Sequence, residues 1–228
     1  RDSGGTTMKQ FVRVAWIVMR KDLTVEVRSR EILYTTVFFA ASSVLVFAFA
    51  LVREGRPMED AAAGILWIAI AFAGTLALGR TFERERQTET LRALMLAPSD
   101  RPAIYVGKLL GILILLGVVE LVLVPLVGLL FNAPFGARPL WLVLLLATGT
   151  LGFASVGTLF AAMLVRARSR DVLLPVLLYP ITIPIIIAGV RGTVALLQPV
   201  PDLPMAQFWG ALLVFFDVVF VTLALWTF

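Results

Sequence analysis

The chain has 228 residues, 60% of them hydrophobic and 15% charged, and carries a formal net charge of +5. A soluble domain is about 45–50% apolar and about 25% charged, so both departures point to lipid as the solvent. With no Cys and no His, the chain excludes disulfides, thiolate or imidazole metal sites, a Cys nucleophile and an imidazole base or pH switch.

Residues 1–7, RDSGGTT, precede Met8 and read as an exogenous remnant outside the fold. No cleaved signal peptide is expected, because the first apolar run begins near Leu33 behind a long charged segment. Over 8–31, Phe11, Val12, Ala15, Trp16, Met19 and Leu23 recur at three- and four-residue spacing. Lys9, Arg13, Arg20 and Lys21 mostly take other faces. That pattern predicts an amphipathic helix lying in the membrane interface.

A spanning helix needs about 20 mainly apolar residues. Six segments qualify, at about 33–52, 61–79, 104–130, 140–164, 172–190 and 208–228. Irregular backbone cannot face lipid, so each span is expected to be helical and the protein to be an all-α integral membrane protein. Sixteen of the twenty Lys and Arg flank the spans on the side of the N-terminus; Arg53, Arg56, Arg138 and Arg191 lie on the other. The positive-inside rule then places both termini in the cytoplasm. Because the basic residues flank apolar spans, orientation accounts for the net charge and no nucleic-acid partner is expected.

Between spans two and three, residues 80–102 read RTFERERQTETLRALMLAPSDRP. The first half carries both signs of charge; the second places Leu91, Leu94 and Met95 on one helical face. Pro98 stops that helix, and Pro102 suits the first turn of the next one. A short amphipathic helix here suits docking into a groove on a soluble partner, or rests on the headgroups. Within span three, Lys108 lies near the basic-side end and is expected to snorkel towards water. Glu120 in span three and Asp217 in span six lie mid-span. A charge at mid-bilayer costs about 2.5–3.5 kcal/mol on insertion scales. Such carboxyls face a pathway, a partner or a hydrogen-bonding neighbour helix.

Span four carries Gly149, Gly152, Ala154 and Gly157, which allow close helix approach. The segment 165–171, VRARSRD, is a second cytoplasmic contact or simple positive-inside anchoring. Span five contains Pro175, Pro180 and Pro184, which predict a kinked or locally unwound helix. The Pro-rich stretch after it, 191–207, suggests a short interfacial or re-entrant element. No G-x-x-x-x-G-K-[ST] phosphate loop, TVGYG-type filter or Arg-rich voltage sensor occurs, and the two three-span halves show no repeat.

Several runs carry a resemblance. GILWIAIAFAGTLALGRTFERERQTETLRALMLAP (64–98), followed by IYVGKLLG, resembles the CcmB family, the B subunit of the haem exporter of bacterial cytochrome c maturation. GTLGFASVGTLFAAM (149–163) and LLYPITIPIIIAG (177–189) are similar to the same family. The resemblance implies an ABC-2-exporter-like bundle: a permease subunit without catalytic residues, in the bacterial cytoplasmic (inner) membrane. Its implied partners are an ABC ATPase subunit, a haem-handling membrane protein, a small single-span membrane protein and a periplasmic haem chaperone. ATP hydrolysis on the ATPase would release the haem-loaded chaperone. Residues 8–31 become a connecting helix, and 80–102 becomes the segment that meets the ATPase. Phe82, Glu83, Arg84, Glu85, Arg86, Glu89, Leu91, Leu94 and Met95 are its expected docking residues.

Without His or Cys the chain lacks the usual axial haem ligands, leaving Met8, Met19, Met58, Met95, Met163 and Met205. No cofactor is therefore expected on this chain, with ATP on the partner and haem on a neighbour. A general ABC-2-type exporter permease for a lipid, drug or polysaccharide is the alternative. A channel or structural scaffold is a third.

Overall fold

Helices follow one another with short connections: α1 (Ser3–Ser29), α2 (Glu31–Ala50), α3 (Ala62–Gln87), α4 (Arg101–Phe131), α5 (Pro139–Met163), α6 (Arg170–Leu197) and α7 (Leu203–Thr227). The computed structural model describes residues 3–53, 56–57, 61–87, 101–164, 167 and 169–227; of these, 3–7, 52–53, 56–57, 87 and 170 are described by backbone alone. Helices α2 to α7 are each long and apolar enough to cross a membrane, which makes this an all-α multi-pass membrane protein. Between α2 and α3 a two-residue strand, Val52–Arg53, pairs antiparallel with Arg56–Pro57. Six consecutive spans alternate in direction. One face of the bundle therefore gathers α1, the start of α2, the α3–α4 and α5–α6 connections and the end of α7. Sixteen of the twenty Lys and Arg belong to that side, which makes it the basic face.

Burial ranks the helices. In the apolar stretches of α3 and α5, 67% and 72% of residues are buried, against 28% in α2 and 17% in α7. The first two form the centre of the bundle. The outer helices turn large apolar side chains outward, among them Phe38, Phe49, Leu121, Phe215 and Trp226. Water would penalise that surface, whereas hydrocarbon accepts it.

The glycines of α5 explain how α3 packs so closely. A Cβ on Gly149 would stand 2.2 Å from the Trp67 ring, and one on Gly157 would meet Leu78 at 2.2 Å. Side chains of α3, rather than helix backbones, fill these notches. Trp67 also lies against Gly189 of α6, and its Nε1 donates to Thr193 Oγ1 at 2.9 Å. The indole thus finds its hydrogen-bond partner while fully buried.

Three expectations are corrected. Helix α3 runs on through Gln87, so RTFERERQ belongs to the span's own helix and not to a loop. Of a kink or local unwinding in span five, the unwinding is overturned: helix α6 continues through Pro175, Pro180 and Pro184, since neighbouring helices cover such freed carbonyls in membranes. No separate re-entrant element follows it. The apolar Ala195 and Leu196 extend α6 into the bundle, and α7 begins at Leu203. Asp202 Oδ1 accepts from Met205 N at 3.0 Å, capping α7 with Pro204 in its first turn.

Candidate functional site

Helix α1 lies along the basic-face end of α4. Its inward stripe is Ala15, Val18 and Met19, all buried, while Val12 and Trp16 face outward. The crossing is tight at one residue: a Cβ on Gly107 would meet the Ala15 carbonyl oxygen at 2.6 Å and Val18 Cβ at 2.8 Å. One turn later the room opens, for a Cβ on Gly111 would meet Asp22 Cβ at 3.7 Å.

The same stripe of α1 continues into acid. Asp22 and Glu26, four residues apart on one helical face, point at the ends of α3 and α4. Lys108 Nζ of α4 bonds Asp22 Oδ2 at 2.7 Å and also pairs with Glu85 Oε1 of α3. Lys21 Nζ lies 2.8 Å from Asp22 Oδ1 and 3.3 Å from Glu85 Oε1. Two ammonium groups and two carboxylates thus meet, and their formal charges cancel. Lys108 is only 2% exposed and Glu85 only 5%. Taking one such ion out of water costs several kcal/mol, so burial is tolerable only because the partners and hydrogen bonds come with it. A cavity of about 160 Å³ adjoins the cluster, bordered by Lys21, Asp22, Arg84 and Glu85.

Glu26 extends the network. Its Oε1 accepts from Leu33 N at 2.7 Å, satisfying a donor at the start of α2, and its Oε2 accepts from Arg84 Nη2 at 3.0 Å. Arg84 Nη2 also reaches Ser29 Oγ at 3.3 Å. Arg30, at φ 53° in the left-handed region, makes the sharp turn between α1 and α2. Four helices are therefore pinned at one end of the bundle by side chains of α1, α3 and α4.

The docking residues expected on 80–102 separate into three groups. Phe82 and Glu85 are buried inside the bundle, which removes them from any partner surface. The reason is the longer α3: its last turns stay with the bundle, ion-paired to Lys21 and Glu26 of α1 and Lys108 of α4, instead of leaving the protein. Glu83 and Arg84 are half-buried and Arg86 is exposed, with Arg86 Nη1 3.8 Å from Glu83 Oε2. Glu89, Leu91, Leu94 and Met95 lie outside the described residues, as do Pro98 and, in the second basic segment, Arg166 and Arg168. Lys108 does not snorkel; it is the most buried charge of the cluster.

The two mid-span carboxyls occupy different surroundings. Glu120 of α4 accepts a hydrogen bond from the Thr150 hydroxyl of α5 and lines an apolar groove between these helices. Asp217 of α7 points inward over Gly152, where a Cβ would stand 2.7 Å from its Oδ1; Ile185 of α6 borders the same spot. Asp217 Oδ1 has no hydrogen-bond partner among the described residues. Nearer the basic face, Tyr105 of α4 donates its hydroxyl to the Ser155 carbonyl of α5 at 3.0 Å. Sequence reasoning missed Lys21, Asp22, Glu26 and Tyr105. The first three had a signal: acids at 22 and 26 continue the stripe of Ala15 and Val18, so an inward face ends in charge that needs a partner.

The bundle and its charge-locked end define a multi-pass membrane subunit in which the helix leading to the α3–α4 connection is fastened to two others. Residues 13–228 match the model of the family described as CcmB protein, and the chain belongs to that family. Its relatives include heme exporter protein B of Escherichia coli strain K12, 31% identical over 87% of this chain and 90% of that protein. Heme exporter protein B of Rhodobacter capsulatus is 29% identical over 81% of this chain and 86% of its own length. That of Pseudomonas aeruginosa is 27% identical over 77% and 78%.

Proposed function

We propose that this chain is the membrane permease subunit of an ABC-type complex that serves haem delivery in cytochrome c maturation. The observation that carries the reading is the family match over residues 13–228. In this reading the basic face is cytoplasmic, as the sixteen Lys and Arg on that side favour, and the membrane is the bacterial inner membrane. The chain performs no chemistry itself. A separate ATPase subunit hydrolyses ATP, and a haem-handling membrane protein, a small single-span protein and a periplasmic haem chaperone complete the assembly.

The ion cluster supplies a mechanical route for the coupling. The ATPase engages the segment after α3, where Leu91, Leu94 and Met95 share a helical face by their spacing. A push there reaches the end of α3, which cannot move alone. Glu85 is held by Lys108 and Lys21, and Arg84 by Glu26. Displacement of α3 therefore carries α1 and α4 with it, and α4 extends through the membrane to Phe131. The output would be release of the haem-loaded chaperone at the opposite face.

Haem is the cargo of the complex, and this chain's donor atoms suit it poorly. Met19 is buried in the α1 packing, while Met8, Met163 and Met205 are exposed on three different helices. Met58 and Met95 lie outside the described residues. We therefore assign haem to the neighbouring membrane protein and ATP to the ATPase.

The test is Leu94→Asp in the complex expressed with all its subunits. A charge on the apolar face should leave membrane insertion intact while the ATPase is lost from the complex purified through this chain, and holocytochrome c formation should fall with it. Retention of the ATPase at full stoichiometry and full maturation activity would overturn the docking assignment. Purification of the unaltered complex without any haem-containing subunit would overturn the haem reading.

A further inference from the structure

Between α4 and α5, beside Glu120, lies a groove of about 620 Å³ that opens on the outside of the bundle. Its walls are apolar: Leu113, Leu121 and Val124 from α4, Val143 and Leu151 from α5. Leu121 and Val143 are 76% and 59% exposed, so the groove faces what surrounds the protein and not its interior. Thr150, which bonds Glu120, stands near the midpoint of α5 (Pro139–Met163), and this fixes the carboxyl at mid-membrane depth.

A carboxyl at that depth is expensive, and such groups ordinarily turn towards a bundle interior or an aqueous cavity. This one turns into a lipid-facing groove with Thr150 as its one hydrogen-bond partner among the described residues. Acyl chains offer no donor, and headgroups cannot reach mid-depth. Beside Glu120 the groove is floored by small side chains. No atom lies within 4 Å of where a Cβ on Gly117 would stand, and Ala147 is exposed across from it. Small residues of this kind let a helix backbone approach closely.

From this juxtaposition we propose that the α4–α5 groove seats a transmembrane helix of a different membrane protein. At mid-depth that helix presents a hydrogen-bond donor, cationic or amide, to Glu120. Charge complementarity selects the occupant. A second copy of this chain meeting groove to groove about a two-fold axis would set Glu120 against Glu120, which like-charge repulsion disfavours. The proposal stands apart from the haem reading, since it rests on the groove and its carboxyl alone.

The complex in native membranes provides the test. A photo-reactive benzoylphenylalanine is placed at Val143 or Leu121, with Phe215 on α7 as an outward control, and the adducts are identified by peptide mass spectrometry. The groove positions should yield an adduct with a transmembrane segment of another protein that carries a donor side chain within one helical turn. Glu120→Leu should reduce that yield roughly tenfold, the equivalent of about 1.4 kcal/mol, while Glu120→Gln, which loses the charge but keeps an acceptor, should give an intermediate yield. The isolated Glu120→Leu chain should melt no lower than the parent. Adducts only with lipid, with porphyrin or with a second copy of this chain would overturn the proposal, as would yields indifferent to Glu120. A lowered melting temperature of the isolated variant would also overturn it, by making the carboxyl a structural strut.

Discussion

The basic face and the membrane midplane handle ionisable groups in opposite ways. At the basic face Lys21, Asp22, Glu85 and Lys108 are gathered from three helices until their charges cancel, and Lys108 and Glu85 are buried as a result. At the midplane Glu120 and Asp217 stand apart on different helices, one held by a single hydroxyl and the other set over a glycine. Cancellation inside the chain makes a fastening. Isolation leaves an acid whose environment must be completed from outside or whose presence contributes little to the fold. The residue types alone do not distinguish these outcomes; the neighbours do.

Breaking the fastening should have the largest effect. Lys108→Met leaves the buried Glu85 and the half-buried Asp22 with only Lys21, and removing one member of a buried pair costs about 3–5 kcal/mol. Thermal melting of the purified chain in detergent should show a large loss. The double variant Lys108→Met with Glu85→Met should recover much of it, because no charge is then stranded. A double variant as unstable as the single would mean that the cluster matters by shape and not by charge cancellation.

A smaller effect tests the seating of α1. Gly107→Val forces side-chain atoms into the Ala15 carbonyl, and overpacking of this kind costs about 1–3 kcal/mol. Gly111→Ala meets only an ordinary contact at 3.7 Å and should be close to neutral. Limited proteolysis of the α1–α2 turn gives a second readout, with cleavage accelerated in the first variant alone.

The smallest change is expected at the midplane. Asp217→Asn keeps the size and removes the ionisable group, and Asp217 Oδ1 has no described partner to lose. Melting should move by less than about 1 kcal/mol in either direction, within the range of ordinary substitutions. A loss comparable to that of Lys108→Met would place Asp217 in a network and erase the contrast between the two regions.

Much of the architecture is legible in the sequence because lipid imposes a coarse rule that hydropathy reads directly. The six spans, and the gathering of Lys and Arg on one face, follow from that rule. Hydropathy marks where hydrocarbon ends and not where a helix ends. For this reason RTFERERQ, rich in good helix formers, extends α3 to Gln87 although it left the apolar run at Arg80. Lys108 was misread for a different reason. Its partner Asp22 lies 86 residues earlier, and no local periodicity reports a pairing between elements so far apart. Glu120 and Asp217 were legible as anomalies, since a mid-span acid stands out against Leu and Val. Which of them faces outward depends on what other helices bring to it: Thr150 of α5 bonds Glu120 beside an outward-facing groove, whereas Asp217 lies over Gly152 of α5 beside Ile185 of α6. Neither acid's own neighbours in sequence report this.

Trp67 carries a last consequence. Its ring fills the junction of α3, α5 and α6 between Gly149 and Gly189, and its nitrogen is tied to Thr193. Among the described residues an indole thereby occupies the middle of the bundle, where α3, α5 and α6 meet. A solute routed between those three helices would first have to displace that ring and break its bond to Thr193.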